Sequence, residues 1–116
     1  MQAAGDAAAM EQLLDLLWSA TPRPTGVFVP SDSTAALLYQ ACAKRGIRVG
    51  ADLAVVSCNY EPPTLAALVP QLTTLDVRAE AIGGCAVDLL LWRMAHPDAP
   101  PVDLTIQPVL VAGASG

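Results

Sequence analysis

Two short polar segments follow apolar runs in the sequence, and their residue types suit the binding of a polar small molecule. Ser31 and Asp32 come after the apolar run 26–29, and a second run, 54–56, is followed by a segment that includes Asn59. Hydroxyl, carboxylate and amide groups supply both donors and acceptors of hydrogen bonds. The carboxyl ends of parallel strands meet at one edge of a sheet, where open α/β sheets bind their ligands. The sequence therefore predicts a polar pocket at that edge.

Each candidate residue also has a purely structural interpretation. Asp32 stands between a predicted strand and a predicted helix, where a carboxylate often caps the free N–H groups of the helix. Ser31 and Asn59 are common turn residues. Tyr60 and Glu61 are candidate ligand contacts that also fit an ordinary exposed loop. At the level of sequence, the binding role and the structural role are both open.

The other residues that could do chemistry are dispersed. His96 is the only histidine, and no serine or cysteine nucleophile forms a recognisable motif with it. Cys42, Cys58 and Cys85 are an odd number without CxxC spacing, which indicates reduced thiols rather than a metal or redox pair. The spacings of zinc proteases, calcium loops and phosphate-binding loops are also missing. We therefore predict no catalysis, no metal site and no cofactor.

The charge balance argues against direct contact with DNA or membranes. The net charge of the 116 residues is -5, and the six basic residues are scattered rather than gathered in a stripe that neutralises phosphates. The N-terminus has no basic region, and the apolar stretch that follows it carries Glu11 and Asp15. Both features argue against a signal peptide or a membrane span. We expect a cytoplasmic chain that forms one domain over residues 1–116.

Apolar spacing predicts alternating helices and strands. Three- and four-residue spacing predicts a helix over 6–20, ended by prolines, and a second helix over 33–45, with Gly46 as a left-handed C-cap. The runs 26–29 and 54–56 are typical of strands buried on both faces of a parallel sheet. A strand, a helix and a strand in this order are parallel, which gives an α/β fold with a parallel-sheet layer flanked by helices.

The C-terminal part of the sequence predicts one long helix and shorter extended segments. Residues 72–75 indicate a strand, and residues 78–95 a helix with a wide apolar face. After a proline-rich loop, the segments 104–106 and 109–111 indicate a final strand pair interrupted by a proline. Both tryptophans lie within helical apolar patterns, where core burial is the usual outcome: Trp18 and Trp92.

A series of segments also follows a known pattern in sequence order: Arg23–Phe28, Ser31–Asp32, Gly46–Val49, Asp52–Val56, Pro70–Thr74, Ile82–Gly83 and Pro108–Val111. Together these segments, which span nearly the whole chain, resemble the effector-binding domain of LacI/GalR-family transcriptional regulators. The resemblance implies part of a type I periplasmic-binding-protein fold. In that fold a small metabolite, often a sugar or a nucleobase-like compound, binds in the cleft between two α/β lobes.

The resemblance implies that Ser31, Asp32 and Asn59 bind the ligand, because the family pattern places Asn-Asp after the first strand and Gly-Phe/Tyr-Asp-Asp after the second. Tyr60 is a further candidate at the same strand end. Ser31 and Asn59 stand where the family has an amide and an acidic residue, which removes a charge and part of the bidentate hydrogen-bonding capacity. Cys58 replaces the family's aromatic residue, so aromatic stacking is absent or displaced.

The resemblance begins within the second lobe of the family fold, so we expect a fragment that lacks the helix-turn-helix, the hinge helix and the first lobe. In the family, the helix that corresponds to residues 78–95 packs in the other lobe. We therefore expect self-association that buries this apolar face. The dimer residues that the resemblance implies, whose alternative is ordinary core or surface packing, are Ala35, Ala36, Tyr39, Leu68 and Val69.

The function implied by the resemblance is ligand sensing. A sugar-like effector closes the cleft and alters the geometry of a homodimer, which changes operator affinity at a DNA-binding domain outside these residues. The alternatives are a transport receptor of the same fold, a small α/β enzyme, and a truncated product without independent function. A secretion signal would favour the receptor, and clustered titratable groups with perturbed pKa values near Ser31 and Asn59 would favour the enzyme.

Overall fold

A four-stranded sheet with helices organises the chain in a computed structural model, which describes residues 2–116, with side chains from residue 7 onward. In chain order the elements are α1 (Gln2–Ser19), β1 (Gly26–Phe28), α2 (Asp32–Lys44), β2 (Ala54–Cys58), α3 (Pro62–Leu65), β3 (Thr73–Asp76), α4 (Ala79–Ala95) and β4 (Val109–Val111). The strands keep this order in the sheet. β1 and β2 are parallel, as predicted, and so are β2 and β3. β4 is antiparallel to β3, which makes the sheet mixed at one edge.

The core lies between the helices and one face of the sheet. α2 packs on β2, and α1 packs along α2. The prediction that the strands are buried on both faces is wrong, since Phe28 is 59% exposed. Neighbouring residues of a strand point to opposite faces, and Phe28 lies on the face away from the helices. The buried apolar residues are Leu14, Val29, Ala35, Leu38, Tyr39, Ala41, Cys42, Leu53, Val55 and Leu72.

The capping residues of α2 account for where this helix begins and ends. Ser31 is the N-cap, because its backbone is extended and its hydroxyl accepts a hydrogen bond from the backbone N–H of Thr34 at 3.1 Å. The expectation that Asp32 caps this helix is wrong, since Asp32 is the first helical residue and its carboxylate bonds to other segments. At the other end, Gly46 has the left-handed conformation predicted for it, with φ +67°.

The C-terminal residues join β2 to β3 where the two strands begin. The hydroxyl of Ser115, which is fully buried, accepts from the backbone N–H of Thr73 at 2.7 Å and donates to the carbonyl of Val55 at 2.6 Å. The backbone N–H of Val55 donates in turn to the carbonyl of Ser115 at 2.7 Å. Gly113 permits this close approach, because a Cβ there would collide with the backbone of residues 71–72.

α4 and the segment that follows it in the chain extend away from this core. None of the residues 79–95 is buried, and Trp92 is 37% exposed, which contradicts its expected place in the core. Trp18 is half-buried and packs against the core. Residues 104–106 do not form the predicted strand, because no strand pairs with them within the described residues, and they face α4 instead.

The protruding helix makes the molecule long. Its principal extents are 58 × 31 × 24 Å, and its radius of gyration is 18.5 Å. A compact domain of 100 residues has a radius of gyration of about 13 Å. Within residues 2–116, no single helix is both long enough and apolar enough to cross a bilayer.

Candidate functional site at the strand ends

A buried carboxylate joins three segments at the carboxyl edge of the sheet. Asp32, in the first turn of α2, is fully buried. Its Oδ1 atom accepts hydrogen bonds from the hydroxyls of Ser57 and Thr74, the latter at 2.7 Å. Its Oδ2 atom accepts from the backbone N–H of Glu61 at 2.6 Å. The predicted proximity of Asp32 to the residues that follow the second strand is therefore confirmed.

The loop after β2 has a backbone conformation that side-chain-bearing residues rarely adopt. Asn59 has φ 109° and Tyr60 has φ 60°. The backbone N–H of Asn59 donates to the carbonyl of Leu75 at 2.9 Å, which ties the start of the loop to β3. The bond from Glu61 to Asp32 ties its end. Strained backbone of this kind persists only where the surroundings enforce it, and it is concentrated at functional sites.

A second turn of the same kind follows β3. Arg78 has φ 57°, and its backbone N–H donates to the carboxylate of Asp76 at 2.7 Å. Arg78 is also the N-cap of α4. The two turns and the first turn of α4 line an open depression of about 610 Å³, formed by Asn59, Tyr60, Asp76, Arg78, Ala79, Glu80 and Ala81. All three non-glycine residues with positive φ in the described part of the chain therefore border one depression.

The depression combines one aromatic side chain with groups that donate and accept hydrogen bonds. The amide of Asn59 does both, the guanidinium of Arg78 donates, and the carboxylates of Asp76 and Glu80 accept. The side chain of Tyr60, in a residue that is 40% exposed, adds an aromatic face. A polyhydroxylated molecule presents both hydroxyls and C–H faces, and this combination of groups can bind both.

The structure separates the predicted ligand residues. Asn59 and Tyr60 line the depression. Ser31 lies at the same sheet edge, but its hydroxyl caps α2 and lies 2.8 Å from the hydroxyl of Thr34. Asp32 lies behind the loop, with both carboxylate oxygens occupied by donors of this chain. Neither Ser31 nor Asp32 therefore lines the depression.

Sequence reasoning missed three charged residues of the depression, namely Asp76, Arg78 and Glu80. Asp76 ends β3, so the strand-end rule that selected Asn59 also points to it. Arg78 and Glu80 belong to the start of a helix predicted from apolar spacing. Apolar spacing identifies a helix, but it carries no information about what the end of that helix faces.

Outside the depression, the titratable and nucleophilic side chains are dispersed. The ring of His96 stacks on Trp92, with 5.2 Å between the ring centroids. All three cysteines are free, and burial raises the pKa of the Cys42 thiol, which disfavours the reactive thiolate. From residue 7 onward, no three His, Cys, Asp or Glu side chains lie close enough together to hold a metal ion.

A shallow groove of about 420 Å³ lies between α2 and α3. Val69 at its rim is 88% exposed, whereas Ala35 is fully buried in the core and offers no surface to a partner. The hydroxyl of Tyr39 donates to the carbonyl of Pro70 at 3.0 Å, and burial raises the pKa of this phenol. Four of the five predicted dimer residues line this groove: Ala36, Tyr39, Leu68 and Val69.

Comparisons with known proteins agree with this architecture. The family model of the periplasmic binding protein-like domain matches residues 1–116. The ribose operon repressor of Escherichia coli (strain K12) is 33% identical over 108 residues, which cover 92% of this chain and 31% of that repressor. The lactose operon repressor of Rhizobium radiobacter is 36% identical over 76 residues, which cover 66% of each protein. The solved structure of the transcriptional regulator CelR-cellobiose complex superposes with a TM-score of 0.81 at 28% identity, covering 96% of this chain and 32% of that chain.

The matches cover most of this chain and a smaller part of most relatives. The chain spans 31% of the ribose operon repressor and 32% of the cellobiose-bound regulator. These relatives are transcriptional regulators rather than enzymes, and their shared fold includes the mixed sheet and its flanking helices. The chain belongs to the periplasmic binding protein-like family and corresponds to part of the effector-binding domain of a LacI/GalR-type regulator.

Proposed function

We propose that these residues form one wall of an effector-binding cleft in a regulator whose affinity for DNA changes when a small metabolite binds. The main support is the depression at the strand ends, where Asn59, Tyr60 and Arg78 all hold positive φ beside one surface. Such backbone costs roughly 1–3 kcal/mol at each residue, so the surrounding fold must enforce it. A wall fixed in this way loses little conformational entropy when a ligand binds.

The effector in this proposal is a sugar-like metabolite. Asn59 and Tyr60 contact it directly, and Asp76 and Arg78 complete the polar wall. An amide bonds to a neutral hydroxyl in either direction, as donor or as acceptor. Relatives of this chain are named for ribose and lactose operons, and a structural neighbour holds cellobiose. Ser31 contributes indirectly, because its hydroxyl caps α2 and does not line the depression.

The regulatory part of the proposal concerns partners outside these residues. The chain acts in the cytoplasm as part of a homodimer and reaches operator DNA through a separate DNA-binding domain. A net charge of -5 without a basic stripe leaves these residues poorly suited to phosphates. The named repressors favour a regulator over a transport receptor of the same fold. The relatives named as repressors also favour a regulator over an enzyme.

The effector proposal is tested by thermal denaturation of the full chain with D-ribose, lactose and cellobiose. A sugar that binds only the folded state raises the melting temperature with the logarithm of its concentration. We expect a saturable rise with at least one of these sugars. Asn59→Ala removes an amide that bonds to ligand hydroxyls and should weaken binding about tenfold.

The matched control is Gln12→Ala, which removes an exposed amide from α1, outside the depression. This variant should bind the sugar as the wild type does. Two results contradict the proposal: the absence of any shift from a cooperatively folded chain, and a shift of the same size in the Asn59→Ala variant.

The dimer proposal places a second copy against the groove between α2 and α3. Val69→Glu puts a charge at the most exposed large apolar residue of that groove, and burying an unpaired charge opposes association. Light scattering should show fewer dimers for this variant. Leu16→Glu adds the same charge at a position of α1 that is 68% exposed and outside the groove, and it should change nothing. Equal dimer fractions for the wild type and Val69→Glu would place the contact elsewhere.

A further inference from the structure

Asp32 has no surface from which to contact a ligand, yet it is the hub of the strand-end edge. It is fully buried, and its two carboxylate oxygens accept three hydrogen bonds from this chain. We infer that Asp32 is a positioning residue, whose carboxylate holds Asn59 and Tyr60 in the conformation that forms the wall of the depression. The inference rests on the proposed function of that depression, but it assigns Asp32 a role without ligand contact.

The two oxygens of the carboxylate hold different parts of the edge. Oδ1 accepts from the hydroxyls of Ser57 in β2 and Thr74 in β3, so it binds the two strands to the start of α2. Oδ2 accepts from the backbone N–H of Glu61, which lies directly behind the strained pair. The strand contacts and the loop contact are therefore separable by substitution.

The loop contact explains why two adjacent non-glycine residues keep positive φ. The loop is tied at its start by the bond from the Asn59 N–H to the carbonyl of Leu75, and at its end by the bond from the Glu61 N–H to Asp32. With both ends fixed, Asn59 and Tyr60 have to turn between them. If the second tie is lost, the loop can relax toward the negative φ values that such residues prefer.

The acceptor itself is held rigidly. Asp32 is the first residue of α2, and the Ser31 cap bonds to the N–H of Thr34 in the same turn. The positive end of the helix dipole lies beside this acceptor. The loop is therefore anchored to the capped first turn of a helix rather than to another loop.

The test is amide hydrogen exchange, followed by NMR on the free 116-residue chain, so no ligand is needed. In the wild type, the Glu61 amide should exchange at least about tenfold more slowly than an unstructured amide, although the loop lies at the surface. In Asp32→Ala this protection should disappear, and the resonances of Asn59 and Tyr60 should move. An unprotected Glu61 amide in the wild type would overturn the inference even if Asp32→Ala failed to fold.

Three further variants separate positioning from general stability. Asp32→Asn keeps one oxygen for the Glu61 N–H, and its amide N–H groups can donate to the two hydroxyls. This variant should retain the protection of Glu61. Ser57→Ala and Thr74→Val remove only strand contacts, so they should lower the global stability while Glu61 keeps its protection. If these two variants release Glu61 as fully as Asp32→Ala does, Asp32 acts only through overall stability and the inference is wrong.

A sugar titration then connects the loop to binding. For whichever sugar of the ribose, lactose and cellobiose panel binds, Asp32→Ala should weaken binding about tenfold, since a smaller fraction of the chain has the binding-competent loop. Asp32→Asn should stay within about threefold of the wild type. If no sugar binds but the exchange results hold, the effector proposal fails and the positioning role stands. Unchanged affinity in Asp32→Ala, with its loop released, would contradict the inference.

Discussion

The chain contains two regions that are similarly apolar in sequence but differ in what covers their side chains. In the core region, comprising residues 7–76 and 109–116, the helices and the sheet bury each other, and Leu14 and Leu38 are fully buried. In the arm, comprising residues 79–108, Leu90 and Leu91 are 58% and 59% exposed. The core region therefore contains its own packing partners. Among the described residues, only the segment 104–106 of the arm itself faces α4, and most of the apolar face of the arm stays exposed.

This difference predicts that matched substitutions have unequal effects on stability. Leu38→Ala removes a fully buried side chain and should cost about 2–5 kcal/mol, because it leaves a cavity in the core. Leu90→Ala is the same change in a helix, but the side chain is 58% exposed, so the cost should stay within about 0.5 kcal/mol. Urea unfolding followed by circular dichroism measures both. A Leu90→Ala cost in the range of Leu38→Ala would mean that the arm is packed in solution.

The same contrast explains which parts of the fold were predictable from sequence. Helices and strands were identified because local spacing encodes them, and Gly46 was placed because a left-handed cap favours glycine. The exposure of Trp92 and the absence of a strand at residues 104–106 were not predictable. Burial and strand pairing depend on a second segment, and the spacing within one segment does not specify it.

The C-terminal tail is a part of the core region that depends on polar contacts. Ser115→Ala removes the acceptor for the N–H of Thr73, a residue that is only 4% exposed. An unsatisfied buried donor costs about 1–3 kcal/mol, so the free energy of unfolding should fall by about that amount and the variant should unfold at a lower urea concentration. Ser19→Ala removes a hydroxyl from an exposed helix end and serves as the control. A loss no larger than that of the control would indicate that water replaces the Ser115 hydroxyl.

The candidate site was predictable only in part, for a similar reason. The strand-end rule selected Asn59 and Tyr60, and both line the depression. Ser31 and Asp32 do not line it, and Ser31 rather than Asp32 caps α2, because a serine followed by an aspartate offers two suitable caps and only the backbone decides between them. The turn at the start of α4 places Arg78 at the depression, and a turn with positive φ at an arginine has no recognisable sequence signature.

Gly46 and Gly83 allow each region to be changed separately, because an added Cβ would meet no atom within 4 Å at either. Gly46 in the core region has φ +67°, so Gly46→Ala should destabilise the chain by about 1–2 kcal/mol. Gly83 lies inside α4, where alanine is favoured over glycine by about 1 kcal/mol, so Gly83→Ala should slow amide exchange across the arm. The urea midpoint of the core region should not change in Gly83→Ala. A higher midpoint would show that the two regions unfold together.

The smallest expected effect concerns an ion pair of the core region that depends on pH. Arg48 donates two side-chain hydrogen bonds and one backbone bond to Asp52, and these lower the carboxyl pKa from 3.8 to about 2. Because the folded-state pKa is lowered, the contribution is complete above the unfolded pKa and is lost as the pH falls toward about 2. The pair is exposed, so the contribution is small and salt reduces it.

Asp52→Asn should therefore be less stable than the wild type near neutral pH, and this difference should shrink between about pH 4 and pH 2. Asp88→Asn is the control in the arm, because Asp88 is exposed and forms no ion pair with the side chains described from residue 7 onward. Urea unfolding at each pH gives the two differences. A difference for Asp52→Asn that persists unchanged at the lowest pH would mean that the side chain acts through the turn before β2 and not through its charge. In that case charge would not distinguish the core region from the arm, and the two regions would differ in packing alone.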